Sequence, residues 1–132
     1  MQDKAFSGDK VIYPELSYEI MGCIFDVYNE VGHGFSEKHY YGAIEKAFVA
    51  KGFLCKKQVY AKLVYDNNIV GKFFLDFLIN DKIVVELKIG EYYGRKNIDQ
   101  VYQYLRVNDL RLGILVNFTR SGVRYKRIVN IV

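Results

Sequence analysis

Leu75-Asp-Phe-Leu-Ile-Asn-Asp-Lys-Ile-Val-Val-Glu-Leu-Lys88, LDFLINDKIVVELK, sets an apolar run on either side of a short polar segment. The pattern predicts a β-hairpin in a buried sheet, with strands over 69–79 and 83–88. Yet Asp76 interrupts the first run, and Glu86 and Lys88 close the second. An unpaired carboxylate in such surroundings is costly or takes up a proton. Side chains alternate along a strand, so Glu86 and Lys88 share a face. The separation from 76 to 86 is even, so Asp76 joins them only across a turn with an odd number of residues. A turn of Asn80-Asp81-Lys82 pairs Ile79 with Ile83 and sets Asp76 opposite Glu86, one turn residue being left-handed, as Asn and Asp tolerate. A two-residue Asn80-Asp81 turn would put Asp76 on the other face. The odd turn, or an equivalent bulge, is expected.

Two carboxylates facing each other across strands repel unless a cation sits between them. Hard oxygen ligands suit Mg²⁺ or Mn²⁺, which keep several waters and accept phosphate oxygens. Lys88 on the same face could steady a phosphate or an attacking hydroxide, so the set suits metal-assisted phosphodiester hydrolysis. The structural alternative is that Lys88 simply pairs with Asp76 or Glu86 at a wet sheet edge.

Outward from the hairpin, the flanking periodicities predict the other elements. From Pro14, apolar residues at Leu16, Ile20, Ile24, Val27 and Val31 form one helical stripe that Gly32-His-Gly34 ends. A second helix is expected from the N-cap Ser36 to about Lys51, with Tyr40, Ala43, Ile44, Ala47 and Phe48 inward and Gly52 as its stop. Residues 53–65 form a strand broken by Lys56-Lys57, and Asp66-Asn67-Asn68 offers a hairpin turn. Helical spacing returns over 95–107 (Ile98, Val101, Tyr102, Leu105), and LRLGILVNF at 110–118 is a strongly apolar strand. SGVRYKRIVNIV adds a turn and a final strand or packed tail. The order α-α-β-β-β-α-β describes one α/β domain over 1–132 with a central mixed sheet, after a loose lead-in at 1–13.

Half of the 132 residues (51%) are hydrophobic and one is proline, which excludes a disordered chain. No apolar run approaches the roughly 20 residues needed to span a bilayer. The polar start MQDKAFSGDK resembles no signal or transit peptide, and two cysteines make no disulfide framework, so a reducing cytoplasm is the expected setting. Net charge is +4, unevenly placed: after Asp109 there is no acid, only Arg111, Arg120, Arg124, Lys126 and Arg127. A basic end suits a polyanion such as nucleic acid, and equally a solvated tail.

Asp76 and, after nine residues, Glu86-Leu87-Lys88 resemble the D…(D/E)xK signature of the PD-(D/E)XK nucleases. Gly34-Phe-Ser-Glu37-Lys-His-Tyr40 resembles the motif of the GxxExxY proteins, a small-protein branch of that superfamily. LGILVNF at 112–118, after a helix, looks like the closing strand of the same family. The likeness extends from Leu16 to Asn130 and implies a restriction-endonuclease-like fold. It implies that Asp76 and Glu86 bind the metal with the Leu87 carbonyl, that Lys88 orients or activates water, and that Glu37 approaches the metal or its waters. A capping acid at the helix start is the other reading of Glu37. Gln100-Val-Tyr-Gln-Tyr104 resembles the QxxxY pattern of RecB-like members, which would turn Gln100 and Tyr104 toward the site from a flank away from the helix's apolar stripe. His33 and Ser36 stand where the family more often has Pro and Leu, and both histidines read as structural or solvent-facing. Tyr92, Tyr93, Arg95 and Lys96 either touch substrate or form a surface loop. With Arg120 and Arg124, Arg95 and Lys96 would hold a nucleic-acid backbone.

The resemblance thus implies a Mg²⁺- or Mn²⁺-dependent nuclease acting on nucleic acid, with DNA expected. Few residues of so small a chain are available for base-specific readout, so recognition by structure or ends rather than by sequence is expected. A homodimeric junction resolvase and a catalytically silent nucleic-acid-binding or protein-interaction module remain alternatives.

Overall fold

The computed structural model describes residues 12–92 and 94–131. Two helices come first, α1 (Pro14–Val31) and α2 (Glu37–Lys51). Three strands follow, β1 (Cys55–Tyr65), β2 (Asn68–Ile79) and β3 (Ile83–Ile89). Then come α3 (Arg95–Asn108), β4 (Leu112–Thr119) and β5 (Gly122–Val129). The five strands form one sheet in chain order, antiparallel throughout except for the parallel β3–β4 pair. That pair needs a crossover, and α3 supplies it. The expected α/β architecture is the one observed, and the C-terminal stretch resolves as a full edge strand, β5. Most of the expected lead-in, residues 1–11, lies outside the described residues. Ile12, by contrast, is a fully buried core residue.

Local signals account for the element ends. Pro14 opens α1, and Ser36 caps α2 by accepting from the His39 N–H while His39 Nδ1 accepts from the Ser36 N–H. Gly52, at φ 93, ends α2 in the left-handed conformation that glycine adopts without a steric penalty. Asp66 and Asn67, both left-handed, make a two-residue hairpin turn between β1 and β2.

The centre of the sheet is buried on both faces. Phe77, Ile79, Val85, Leu87, Ile114, Val116 and Phe118 pack under α1 and α2 with Ile20, Ile24, Tyr40, Ile44 and Phe48. Val84, Leu115, Ala61 and Leu75 pack against Val101, Tyr104 and Leu105 of α3. β4 is buried along its whole length, as expected of a strand covered on both sides.

The β1–β2 ribbon changes face part-way along. Cys55, Phe77 and Ile79 belong to the α1/α2 side, whereas Val59, Ala61, Phe73 and Leu75, of the same parity, belong to the α3 side. The switch falls on one rung. Gln58 is left-handed (φ 47), and pairing steps from Lys57–Phe77 to Val59–Leu75 without a Gln58–Asp76 pair. Asp76 sits where the ribbon twists out of one core and into the other.

Candidate active site

The hairpin turn has three residues, and Ile79 pairs with Ile83 as the odd turn requires. Asn80 and Asp81 are both left-handed (φ 53 and 57), one more than expected, and the Lys82 N–H donates to the Ile79 carbonyl at 2.9 Å. Asn80 is also tied to the start of β1: its N–H donates to the Leu54 carbonyl and its Oδ1 accepts from the Leu54 N–H, both at 2.8 Å. β2 and β3 then pair over only three rungs, ending at Phe77–Val85. Beyond that rung, side chains replace the backbone ladder. The Asp76 N–H donates to Glu86 Oε1 at 3.0 Å, and the Leu87 N–H donates to Asp76 Oδ2 at 2.8 Å. Each carboxylate is thus held by the opposite strand, and the pair wedges the strands apart. Lys88 Nζ lies 3.4 Å from Glu86 Oε2.

Glu86 is only 7% exposed. Burial, and then the charge of Asp76, push its carboxyl up to about 8, against the opposing pull of Lys88 and the Asp76 N–H. Burial also raises Asp76, while the Leu87 N–H, a hydrogen bond with Glu86 and Lys88 pull it back. Two carboxyls so close share a proton unless a cation takes its place. The donor set, two hard anionic oxygens with a lysine alongside, fits Mg²⁺ or Mn²⁺. Among the described residues no group of three or more His, Cys, Asp and Glu side chains forms a metal cluster, so a metal here would draw its other ligands from backbone, water or substrate.

The sequence profile of the PD-(D/E)XK nuclease superfamily matches residues 14–128, nearly the whole chain. The chain belongs to the PD-(D/E)XK nuclease superfamily. Among solved structures, the crystal structure of SSO0001 has a similar fold, with a TM-score of 0.50 at 17% sequence identity, covering 90% of this chain and 79% of that one. No curated protein matches the chain.

The other expected positions of this PD-(D/E)XK chain fall as follows. Leu87 is buried in the α1/α2 core and gives its N–H to Asp76. Glu37 is exposed at the first position of α2, where a carboxylate favours the helix start, and it forms no ligand cluster with Asp76 and Glu86. Gln100 reaches β2 directly, its Nε2 donating to the Phe74 carbonyl at 3.2 Å, two residues from Asp76. Tyr104 does not stand apart from the apolar stripe of α3: it is 3% exposed and packs with Val101 and Leu105. Three residues after Val101 is a small angular step around the helix, and the ring follows its neighbours into the core. Arg95 and Lys96 are exposed at the start of α3 and line an open cleft with Lys72, Phe73, Asp99, Gln100 and Gln103. Arg120 and Arg124 meet the loop after β3. The Arg120 N–H donates to Glu91 Oε2 at 3.1 Å, and the Arg124 guanidinium to the Glu91 carbonyl at 3.4 Å. Tyr92 is exposed, and Tyr93 lies outside the described residues. Arg127 is partly buried, bonding to Ser17 and to the Ile12 carbonyl, so not every base of the C-terminal segment faces solvent.

Two residues beside the acid–lysine set, Tyr41 near Asp76 and Asn117 next to Lys88, were not singled out from sequence. Tyr41 stacks on Phe77 with centroids 4.6 Å apart, and its buried hydroxyl has no hydrogen-bond partner. Burial, then the charges of Asp76 and Glu45, push its phenol up to about 12. Asn117 is fully buried and pairs with Lys88 across the parallel β3–β4 ladder. Its Nδ2 donates to the Gly90 carbonyl and its Oδ1 has no partner. The signal for Asn117 was present, an amide inside LGILVNF. Tyr41 had none, because a tyrosine beside Tyr40 on a helix looks like ordinary core.

Proposed function

We propose that this protein is a divalent-metal-dependent nuclease of the GxxExxY branch, cleaving phosphodiester bonds in nucleic acid, DNA foremost, by structure or ends rather than by sequence. The observation that carries this is the reciprocal pinning of Asp76 and Glu86 across the splayed β2–β3 hairpin, with Lys88 beside them. Asp76, Glu86 and the Leu87 carbonyl would hold Mg²⁺ or Mn²⁺, which supplies Lewis-acid activation of water and charge neutralisation at the phosphate. The chain's own part is positional and electrostatic. Backbone N–H groups fix one oxygen of each carboxylate, so neither side chain must reorganise when charge develops. Lys88 brings a positive charge to the place where a phosphate would sit, and can orient the attacking water. Glu37 and Gln100 would act from the rim, Tyr104 would support Gln100 from within the α3 core, and Arg95, Lys96, Arg120 and Arg124 would hold the strand.

The branch assignment is supported by the role of Tyr40 in the Gly34…Glu37…Tyr40 motif. Its hydroxyl donates to the Gly32 carbonyl at 2.6 Å and its ring stacks on Phe118 at 4.2 Å, so the motif tyrosine anchors the α1–α2 loop over β4.

The test is incubation of wild type, Asp76→Ala and Lys88→Ala with single-stranded, duplex and branched DNA and with RNA, in Mg²⁺ or Mn²⁺. Metal-dependent cleavage reduced about 100-fold or more in both variants is expected. Cleavage that survives in both would overturn the reading.

A further inference from the structure

Past the carboxylates, β1 and β2 continue as a two-stranded ribbon, paired from Val59–Leu75 to Tyr65–Asn68. One face packs against α3 through Ala61, Phe73 and Leu75. The other is open. On it Tyr60 and Phe74 sit directly opposite each other, 55% and 59% exposed, their rings stacked with centroids 5.8 Å apart. The next rung on that face pairs Lys62 with Lys72. Lys62 Nζ lies 6.0 Å from the Tyr60 ring centroid.

Like charges on one rung repel. Neither lysine has an ion-pair partner among the described residues, and the sole acid between 59 and 75 is Asp66 in the hairpin turn. The face therefore combines unrelieved positive charge with exposed aromatic rings, and this combination decides what it fits. An apolar protein surface would cover the rings but bury two lysines without counter-charge. A second copy docked about a two-fold axis would bring the lysine pairs of both copies together. A polyanion whose units also present flat aromatic faces satisfies both features at once. In a duplex those faces are stacked inside; in a single strand they are free.

We propose that this face of the β1–β2 ribbon binds single-stranded nucleic acid, its unpaired bases stacking on Tyr60 and Phe74 and its phosphates held by Lys62 and Lys72. The platform adjoins the carboxylates: Phe74 is two residues from Asp76, and its carbonyl accepts from Gln100. Lys72 also lines the cleft with Arg95 and Lys96, which continues the basic track to α3. The inference rests on the nuclease reading and narrows its substrate to an unpaired strand.

Binding is measured without catalysis, by anisotropy of a labelled oligothymidylate and of a blunt duplex of equal length in EDTA, across a salt series. Tighter binding of the single strand is expected. Tyr60→Ala/Phe74→Ala should weaken it by about tenfold or more. Tyr60→Leu/Phe74→Leu, which keeps apolar area on the strands but removes the rings, should do the same with the fold intact. Lys62→Gln/Lys72→Gln should reduce the salt slope by roughly 0.7 per lysine. Equal or tighter binding of the duplex overturns the proposal, as does unchanged single-strand affinity in the Leu pair. So does a wild-type dimer in light scattering that the Leu pair converts to monomer, which would assign the face to a second copy. Cleavage assays on Lys88→Ala separate the two readings. Lys88-dependent cleavage with unchanged binding in the ring variants sinks only the platform. Ring-dependent binding with no cleavage of any substrate sinks only the nuclease.

Discussion

Replacing Glu86 by glutamine separates the charge of this side chain from its hydrogen bond. The amide oxygen can still accept from the Asp76 N–H, as Glu86 Oε1 does at 3.0 Å, so the wedge between the strands is kept. What is lost is a carboxyl that the fold raises from 4.5 to about 8. Throughout that window the folded chain holds a proton that the unfolded chain has released. Stability is therefore highest below the unfolded value, falls as pH rises, and reaches its lower plateau above about 8. A single group spanning this interval sets an upper bound of roughly 5 kcal/mol. Sharing of the proton with Asp76 and the nearby Lys88 reduce it, so a fall of about 2–3 kcal/mol, or about 10 °C in Tm, is expected between about pH 5 and pH 8. Melting followed by circular dichroism in metal-free buffer measures it. Glu86→Gln should flatten the profile by at least half and be the more stable protein at the alkaline end. Millimolar Mg²⁺ should stabilise wild type most where the carboxyl is ionised, and should do little for the variant. Parallel profiles for the two proteins, or equal Mg²⁺ shifts, would refute the reasoning.

Three further outcomes test the packing around the site. A Cβ added at Gly113 would meet Val101 Cγ1 at 2.5 Å and Val84 Cγ1 at 3.0 Å, so Gly113→Ala should press α3 off β4. An overpacking loss of about 1–3 kcal/mol in a urea melt is expected. Tyr40→Phe keeps the stack on Phe118 but removes the bond to the Gly32 carbonyl, and should cost about 0.5–1.5 kcal/mol in the same assay. Asn80→Ala places a Cβ-only side chain at φ 53 and strips the Leu54 N–H of its acceptor, with an expected loss of about 1–3 kcal/mol and faster hydrogen exchange at Leu54.

What the sequence determined by itself is the part governed by short-range chemistry. Pro14, Ser36 and Gly52 mark helix ends because caps act within one turn, and the apolar spacing of α1, α2 and α3 places most of their inner faces, Val31 at the end of α1 being exposed. The Asn80-Asp81-Lys82 turn is legible because residue type selects turn geometry, and its odd count brings Asp76 to Glu86. Tertiary structure decided what depends on distant partners. Strand parity cannot foresee that the β1–β2 ribbon rolls from one core to the other at Gln58 and Asp76, since that twist is set by helices packed on opposite faces. The same holds for Tyr104, taken into the α3 core, for Arg127, recruited by the start of α1, and for Asn117, brought beside Lys88 by a parallel crossover. The three misplaced-looking charges of LDFLINDKIVVELK could be read as a set from the chain. That the two acids take the place of backbone partners and hold the strands open follows only from the fold.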